Sequence, residues 1–324
     1  MAELNPIEKK NVLVLGATGA IGRAVARELV VSSYRVFGLV RSEEARARLP
    51  YAVIAVRGDI RQPEAWEAAI AQSDVVVNTS FPPDLVPAGP KDQALAQREA
   101  ELYAEILDRF FALVRKKKKL LIHTFGALLY DPDPEGWVSE RCAISSGKGY
   151  GIRHKIGYPV LDRHRKKGLD AMSVNPGFIY GRGGWFESGV LDPMSEGKSM
   201  YIGDGSQTMH YVSAADAAVG YRLAIEKGAT GEDYLLSDDK PTTLGAFTRL
   251  VAREMSAPEP TPVPVETLVP MLGAWNVEAF TTCYKIDSTK ARKALGWAPR
   301  FRTIEEGIPV IVREYKRSRT ATRA

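Results

Sequence analysis

The first half of the chain alternates short apolar runs with amphipathic segments. The apolar runs predict buried strands at 11–15, 34–40, 52–57, 74–78, 120–124 and 171–174. Apolar positions at helical spacing predict helices at 21–31, 64–71 and 92–115. Strands that alternate with helices are typical of right-handed βαβ units. The pattern therefore predicts an α/β fold built on a doubly wound parallel sheet.

This alternation weakens after about residue 180. Prolines recur at every second position between residues 258 and 264, which indicates an extended connector between short helical pieces. We expect a first domain over 1–180 and a smaller mixed region over 181–324 that is interleaved with it.

Composition and charge indicate a globular protein of a reducing compartment. Hydrophobic residues make up 45 % of the 324 residues, which is enough for a buried core. The net charge of +5 is dispersed, and its densest run, 115–119, is typical of a solvated helix end, so we expect no nucleic-acid partner. Cys142 and Cys283 lie far apart, so we expect neither a disulfide framework nor a metal site. The polar first residues and the lack of a long apolar run lead us to expect a cytoplasmic protein without a membrane contact.

Glycines at regular spacing separate the first predicted strand from the first predicted helix. Gly16, Gly19 and Gly22 form the pattern G-x-x-G-x-x-G. Such glycines let the backbone approach a pyrophosphate and let the helix pack closely on the sheet. The helix N-terminus adds free N–H groups and a partial positive charge. The loop predicts a dinucleotide site of the Rossmann type, with contacts that include the intervening residues Thr18, Ala20 and Ile21.

The end of the second predicted strand indicates which dinucleotide binds. A carboxylate at this position would bind the ribose 2′-hydroxyl of NAD, but this strand ends in Val40-Arg41-Ser42. Arginine accommodates a 2′-phosphate. Arg41 therefore favours NADP(H) as the cofactor.

These residues and several later segments resemble the extended short-chain dehydrogenase/reductase superfamily, the group of NAD-dependent epimerases, dehydratases and dihydroflavonol reductases. Residues 203–216 and 287–299 resemble its substrate-side and closing segments. The resemblance implies that Asp59 and Ile60, which follow Gly58, contact adenine. It also implies that the backbone of the segment 175–181 lies beside the nicotinamide, with these residues at its start: Asn175, Pro176, Gly177 and Phe178.

The catalytic pattern that the resemblance implies is incomplete. Members of the superfamily use a Ser or Thr to orient the substrate oxygen, a Tyr to transfer the proton and a Lys to lower the pKa of that Tyr. The usual serine falls on Gly126, and Thr124 is the nearest hydroxyl. Tyr150 is the candidate tyrosine, but the position four residues later holds His154.

A second alignment of this motif is possible. Lys155 takes the lysine position if Gly151 takes that of the tyrosine. Adjacent helical residues point about 100° apart, so His154 and Lys155 should not both face the nicotinamide. If Pro159 starts the helix late, Tyr158 becomes the alternative tyrosine. His123, on a buried strand, is more typical of a hydrogen-bonded structural histidine.

The substrate side of the sequence favours an apolar ligand. Nucleotide-sugar members of the superfamily carry an arginine soon after the Gly-Asp-Gly segment, whereas residues 206–210 contain none. The segment 266–283 is rich in apolar side chains. We expect a small apolar or aromatic compound to be bound by the following residues: Gly126, Tyr158, Trp185, Phe186, Met209 and Trp275.

The sequence thus favours an NADP(H)-dependent oxidoreductase of a carbonyl or alcohol compound. Two alternatives stay open, a redox-neutral isomerase, epimerase or dehydratase and a non-catalytic NADP(H)-binding sensor. The resemblance further implies a homodimer, formed by the helices at 92–115 and around 155–167.

Overall fold

The computed structural model describes residues 10–81, 93–144, 151–272 and 274–323, with the backbone alone at 93–96, 151–155, 271–272, 274–276, 278 and 321–323. The strands are β1 Asn11–Leu15, β2 Arg35–Val40, β3 Ile54–Arg57, β4 Val75–Asn78, β5 Leu120–His123, β6 Trp137–Val138, β7 Ala171–Pro176, β8 Phe178–Tyr180, β9 Met200–Ile202, β10 Thr208–Met209, β11 Tyr211–Ser213, β12 Asp233–Leu236, β13 Thr242–Thr243, β14 Thr261–Val263 and β15 Lys285–Ile286. The helices are α1 Ala20–Val31, α2 Glu43–Ala47, α3 Glu67–Gln72, α4 Gln93–Lys116, α5 Gly151–Lys166, α6 Gly184–Phe186, α7 Asp192–Ser195, α8 Ala214–Lys227, α9 Leu244–Met255, α10 Val265–Leu272, α11 Ala274–Thr281, α12 Thr289–Leu295 and α13 Ile304–Arg323.

The central sheet has seven parallel strands in the order β12-β7-β5-β4-β1-β2-β3. From β1 the chain first moves outward to β2 and β3, and then returns to β4 on the other side of β1. Ligands of such sheets bind where the strand order reverses, at the carboxyl ends of the strands. The site is therefore expected between the ends of β1 and β4.

The alternation of side chains along β1 shows how both faces of the sheet are covered. Val12 and Val14 belong to a core shared with α1, α8 and Trp297. Leu13 and Leu15 point the other way, into a core shared with α4 and α5. Helices thus cover both faces, which is why a strand of nearly continuous apolar residues is stable here.

The predicted doubly wound sheet is confirmed, and the six predicted strands are all present. The expectation missed β12, the edge strand, which comes from the part of the chain after residue 180 and pairs with β7. Helix α8, from the same part, packs against α1. The expected connector through the prolines at 258–264 contains β14, which pairs with β9.

The segments after residue 180 contribute most of a third hydrophobic core, which residues of the segment 127–138 complete. Phe247 and Val251 of α9 pack with Ile308 and Val312 of α13 in this core, beside the aromatic ring of Tyr211. Two-stranded pairs β8–β11, β9–β14, β10–β13 and β6–β15 border it. Among the described helices, none combines the length and the apolar character that crossing a bilayer requires.

Candidate functional site

A cleft of about 570 Å³ opens where the strand order reverses. Its lining includes six of the predicted cofactor contacts: Gly16, Thr18, Gly19, Arg41, Asp59 and Ile60. Sequence reasoning missed Arg48, which follows α2, and the segment 79–81, which follows β4. The rule that ligands bind at the carboxyl ends of the strands beside the reversal would have located residues 79–81.

The backbone of the glycine loop leaves room for a pyrophosphate. Gly16 has a φ of +81°, which L side chains rarely adopt. A Cβ at Gly22 would overlap the carbonyl oxygen of Gly16, so the close packing of α1 on β1 requires glycine there. Gly19 precedes α1 without a side-chain cap, and the first turn of α1 carries no acidic residue. The N–H groups of this turn therefore remain available to an anion, and the cradle fits a dinucleotide.

Two cations border the end of the cleft beyond β2. Arg41 and Arg48 both line it and are both exposed, and neither forms an ion pair within the part of the chain that the structure describes. The Ser42 hydroxyl between them accepts a hydrogen bond from the Ala45 N–H at 3.2 Å and caps α2. This cap fixes the start of α2, the helix that separates the two arginines along the chain.

Asp59 lies at the same end of the cleft, after β3. Its Oδ1 accepts a hydrogen bond from the Arg61 N–H at 2.9 Å, and its carbonyl oxygen accepts one from Trp66 Nε1 at 2.8 Å. Ile60 beside it is buried. These contacts hold the Asp59–Ile60 backbone against the cleft wall, where the resemblance expects adenine.

A second cavity, of about 330 Å³, lies at the carboxyl ends of β5 and β7. We call it the substrate-side cavity. Eight of its lining residues carry predicted roles: Ala20, Ile21, Thr124, Gly126, Pro176, Gly177, Phe178 and Trp185. The others are mostly apolar and were not predicted as site residues: Phe125, Ala127, Leu128, Ile179, Ala279, Phe280 and Tyr284. Trp185 lines the dinucleotide cleft as well, so the two spaces adjoin.

Thr124 brings a hydroxyl group to this apolar cavity. Its Oγ1 lies 2.6 Å from the hydroxyl oxygen of Tyr221, which in turn donates to the carbonyl oxygen of Val174 at 3.2 Å. Tyr221 is buried, and burial raises the pKa of its phenol. Since Tyr221 has one proton and gives it to Val174, Thr124 must donate its own proton to Tyr221.

Asn175 does not line either space; its buried side chain holds the cavity wall in place. Its Oδ1 accepts hydrogen bonds from the N–H groups of Phe125 at 3.1 Å and Gly126 at 3.3 Å. Its Nδ2 donates to Ser173 Oγ at 2.7 Å. The side chain of Asn175 is therefore committed to the loop after β5 and to Ser173, and the expected contact of its backbone with the nicotinamide stays a prediction.

Ser173 leads to a buried carboxylate that organises several neighbours. Asp233 accepts hydrogen bonds from Ser173 at 2.7 Å, Tyr158 at 2.6 Å and Tyr130 at 3.1 Å. Arg165 pairs with it at 2.8 Å, and both side chains are about 10 % exposed. Burial alone would raise the pKa of Asp233, but Arg165 and the donated hydrogen bonds outweigh burial and lower it. The Tyr158 hydroxyl is thus engaged with Asp233, and Tyr158 is not among the residues that line the substrate-side cavity.

The remaining predicted catalytic residues fall at the edge of what is described. Tyr150 lies outside the described residues, as do the side chains of His154 and Lys155 on α5. The alternative in which Pro159 starts the helix is wrong, because α5 begins at Gly151 and contains Pro159. Packing of α5 against α4 offsets the hydrogen bond that Pro159 cannot donate.

Of the other expected substrate contacts, Gly126 and Trp185 line the substrate-side cavity. The structure places Phe186 and Met209 in the hydrophobic core, where both are almost fully buried, and the side chain of Trp275 lies outside the described residues. The structural role predicted for His123 is confirmed, since its Nδ1 lies 3.1 Å from Asn78 Nδ2.

The sequence of the chain matches the model of the NAD dependent epimerase/dehydratase family over residues 12–237. An uncharacterized protein of Saccharomyces cerevisiae is 27 % identical over 301 residues, which cover 89 % of this chain and 94 % of that protein. A 3-diazoavenalumate denitrifying reductase of a Streptomyces species is 28 % identical over 318 residues, which cover 92 % and 98 %.

Solved structures share the fold. A dTDP-glucose 4,6-dehydratase from Bacillus anthracis in complex with NAD superposes with a TM-score of 0.78 at 17 % identity, covering 95 % of this chain and 97 % of that one. A human epimerase family protein with NADPH gives a TM-score of 0.74 at 18 % identity, covering 94 % and 99 %. The family match spans the glycine loop, the lining of the cleft and the part of the substrate-side cavity that residues before 237 form. This chain therefore belongs to the NAD dependent epimerase/dehydratase family, within the extended short-chain dehydrogenase/reductase superfamily.

Proposed function

We propose that the protein is an NADP(H)-dependent oxidoreductase that reduces or oxidises a small apolar or aromatic carbonyl/alcohol compound. The observation that carries this proposal is the apolar substrate-side cavity, which adjoins the dinucleotide cleft at Trp185 and contains Thr124 as a hydroxyl group. A nucleotide sugar would need cationic or polar partners here, whereas the lining presents mostly carbon. The similarity to a reductase supports an oxidoreductase.

The preference for NADP(H) rests on Arg41 and Arg48. The Arg41 guanidinium directly after β2 and the Arg48 guanidinium after α2 would give a 2′-phosphate two charge-assisted partners. NAD would need a carboxylate at the end of β2 to bind its ribose 2′-hydroxyl. The residues at this position are Val40, Arg41 and Ser42, and none of them carries a carboxylate.

The chain's own groups must deliver a proton to the substrate oxygen. The nicotinamide, when bound, supplies the hydride to the carbonyl carbon or removes it from the alcohol. Because the Thr124 proton is engaged by Tyr221, Thr124 can accept a hydrogen bond from the hydroxyl group of an alcohol but is a poor donor to a carbonyl oxygen. We therefore assign the proton transfer to Tyr150, with His154 or Lys155 adjusting its pKa.

We also propose that two chains associate through α4 and α5. These helices pack on one another on one face of the sheet, and Leu102 of α4 is 46 % exposed. An isologous contact of these helices would bury this leucine. Light scattering at micromolar concentration would contradict the dimer if it gave the mass of a single chain, 35.6 kDa.

A two-part experiment tests the proposed function. Calorimetric titration with NADP(H) and NAD(H) measures the cofactor preference, and a panel of apolar carbonyl compounds is then followed by the loss of nicotinamide absorbance. We expect tighter binding of NADP(H) and stoichiometric conversion of carbonyl to alcohol. Binding without oxidation of NADPH by any member of the panel would favour a sensor instead of an oxidoreductase.

A further inference from the structure

A third cavity, of about 420 Å³, lies beyond the substrate-side cavity, among the segments after residue 180. We call it the distal cavity. Its walls come from the segment 185–202, from α9, from α10 and from Phe280 of α11. The side chains that give it its character are aliphatic or aromatic: Val190, Met194, Ile202, Leu244, Phe247 and Leu268.

The distal cavity and the substrate-side cavity share one aromatic wall. Trp185 and Phe280 line both spaces. Their rings meet nearly edge to face, with centroids 5.6 Å apart, and Phe178 packs against Trp185 at 4.5 Å and against Phe280 at 5.2 Å. The rings of Trp185 and Phe280 therefore stand between a ligand that contacts them in the substrate-side cavity and the distal cavity.

Polar groups in the walls of the distal cavity already have partners. The Thr248 hydroxyl donates to the carbonyl oxygen of Leu244 at 2.8 Å, and Lys198 Nζ pairs with Glu196 at 2.9 Å. A ligand group in this cavity would gain free energy by burying carbon and not by forming hydrogen bonds with these residues.

We propose that the two cavities hold a single substrate, with its carbonyl group beside Thr124 and Gly126 and a flexible alkyl or prenyl tail in the distal cavity. The position of the carbonyl rests on the proposed function, whereas the tail site rests on the distal cavity alone. Because the rings of Trp185 and Phe280 touch, a ligand must pass beside them. A linear chain has the smallest cross-section of any apolar group and can bend around this wall.

A homologous series of straight-chain methyl ketones, from butanone to dodecanone, tests the tail site in two ways. Turnover is measured with NADPH, and binding alone is measured by calorimetry on the protein loaded with NADP⁺, which cannot reduce a ketone. Each buried methylene is worth about 0.8 kcal/mol, so affinity should rise roughly three- to fourfold per added carbon until the tail fills the distal cavity.

Variants at Val190 test whether the rise in affinity with chain length comes from the distal cavity. Val190 is half-buried and lines the distal cavity, so Val190→Phe should fill part of it and end the rise in affinity at a shorter ketone. Val190→Ala should move this limit to a longer ketone. Val31→Phe, at a position on α1 that is 77 % exposed, is the control and should leave the series unchanged.

The two measurements separate the tail site from the proposed reaction. Affinity that rises with chain length and responds to Val190→Phe supports the tail site even if NADPH is never oxidised, in which case the proposed reaction fails. Reduction of all ketones with equal affinity, or a series that Val190→Phe does not alter, overturns the tail site and leaves the oxidoreductase proposal standing. An absence of ketone binding overturns the tail site as well.

Discussion

The dinucleotide cleft and the substrate-side cavity lie side by side, but they are built in different ways. Backbone shapes the cleft, through the positive φ of Gly16, the close approach of Gly22 and the uncapped N-terminus of α1. Side chains shape the cavity, and they come from segments as far apart as Ala20 and Tyr284. A site made of backbone keeps its ligand while the neighbouring side chains change. A fold of this kind can therefore keep a dinucleotide site and take different substrates.

The largest expected effect is on the substrate side. Tyr150→Phe removes the proposed proton donor, so turnover should fall by about 10²–10⁴-fold while NADP(H) affinity stays the same. Steady-state kinetics and calorimetry measure the two quantities separately. A fall in NADP(H) affinity of similar size would contradict the view that the cleft binds the cofactor independently of the substrate-side cavity.

Tyr158→Phe is the control for this variant. The hydroxyl of Tyr158 is bound to Asp233 at 2.6 Å, so its loss should lower stability by roughly 1 kcal/mol and leave turnover nearly unchanged. Loss of turnover in Tyr158→Phe together with full activity in Tyr150→Phe would move the catalytic tyrosine to position 158.

The next effect is on stability and concerns the buried ion pair of Asp233 and Arg165. Asp233→Asn leaves the buried guanidinium of Arg165 without its counter-charge, which should lower the free energy of unfolding by about 3–5 kcal/mol. Urea unfolding measures this change. Asp162→Asn is a matched control, because Asp162 pairs with Lys166 at the exposed surface of α5 and its loss should cost less than about 1 kcal/mol.

Asp233 should also make stability depend on pH. The pKa of its carboxyl is raised by burial but lowered overall by Arg165 and its hydrogen bonds, so it lies below the value of about 3.9 in the unfolded chain. The unfolded state then binds more protons in acid, and this stabilisation is complete above about pH 4 and is lost as the pH falls through the folded pKa. As the pH is lowered below 4, the urea concentration at the unfolding midpoint should fall more steeply in the unmodified protein than in Asp233→Asn.

A smaller effect sharpens the description of the cleft. Arg41→Asp should invert the cofactor preference, because a charge-assisted contact to a 2′-phosphate is worth roughly ten- to a hundred-fold in affinity. Calorimetric dissociation constants for NADP(H) and NAD(H) test this. Arg27→Asp makes the same charge change at an exposed position of α1 outside the cleft lining and should have little effect. Equal affinities for both cofactors in the unmodified protein would remove the argument from Arg41.

The smallest effect tests whether the Asn175 side chain fixes the loop after β5, which lines the substrate-side cavity. Asn175→Ala removes the acceptor for the N–H groups of Phe125 and Gly126, so the loop loosens. We expect KM for the carbonyl substrate to rise about fivefold, which corresponds to roughly 1 kcal/mol, with no change in NADP(H) affinity. An unchanged KM would show that the loop keeps its position without this side chain.

Local patterns explain what could be predicted from the sequence. Strand β1 and helix α1 follow from consecutive apolar residues and helical spacing, and the glycines between them mark the turn. Arg41 could be placed at the cleft because it follows directly from the end of β2. Each of these inferences uses residues within one βα unit, where spacing along the chain determines distance in space.

The features that sequence analysis missed depend on distant pairing. The β12 segment Asp233–Leu236 is short, and only its partner β7 makes it a strand. Nothing near Asp233 in the sequence indicates that Tyr158, Arg165 and Ser173 converge on it. The aromatic wall likewise combines Phe178, Trp185 and Phe280, which no local spacing relates.

The pairing of β12 with β7 has a consequence for how the protein is made. Asp233 follows its partner Ser173 by 60 residues, so the outer edge of β7 stays unpaired until this length of chain has been synthesised. At about 5–20 residues per second, that interval lasts roughly 3–12 s. An open edge of a parallel sheet invites pairing with another chain. Crowded translation on polysomes should therefore be the stage at which this protein is most prone to aggregate, and slower synthesis of the segment between β7 and β12 should lengthen the exposure.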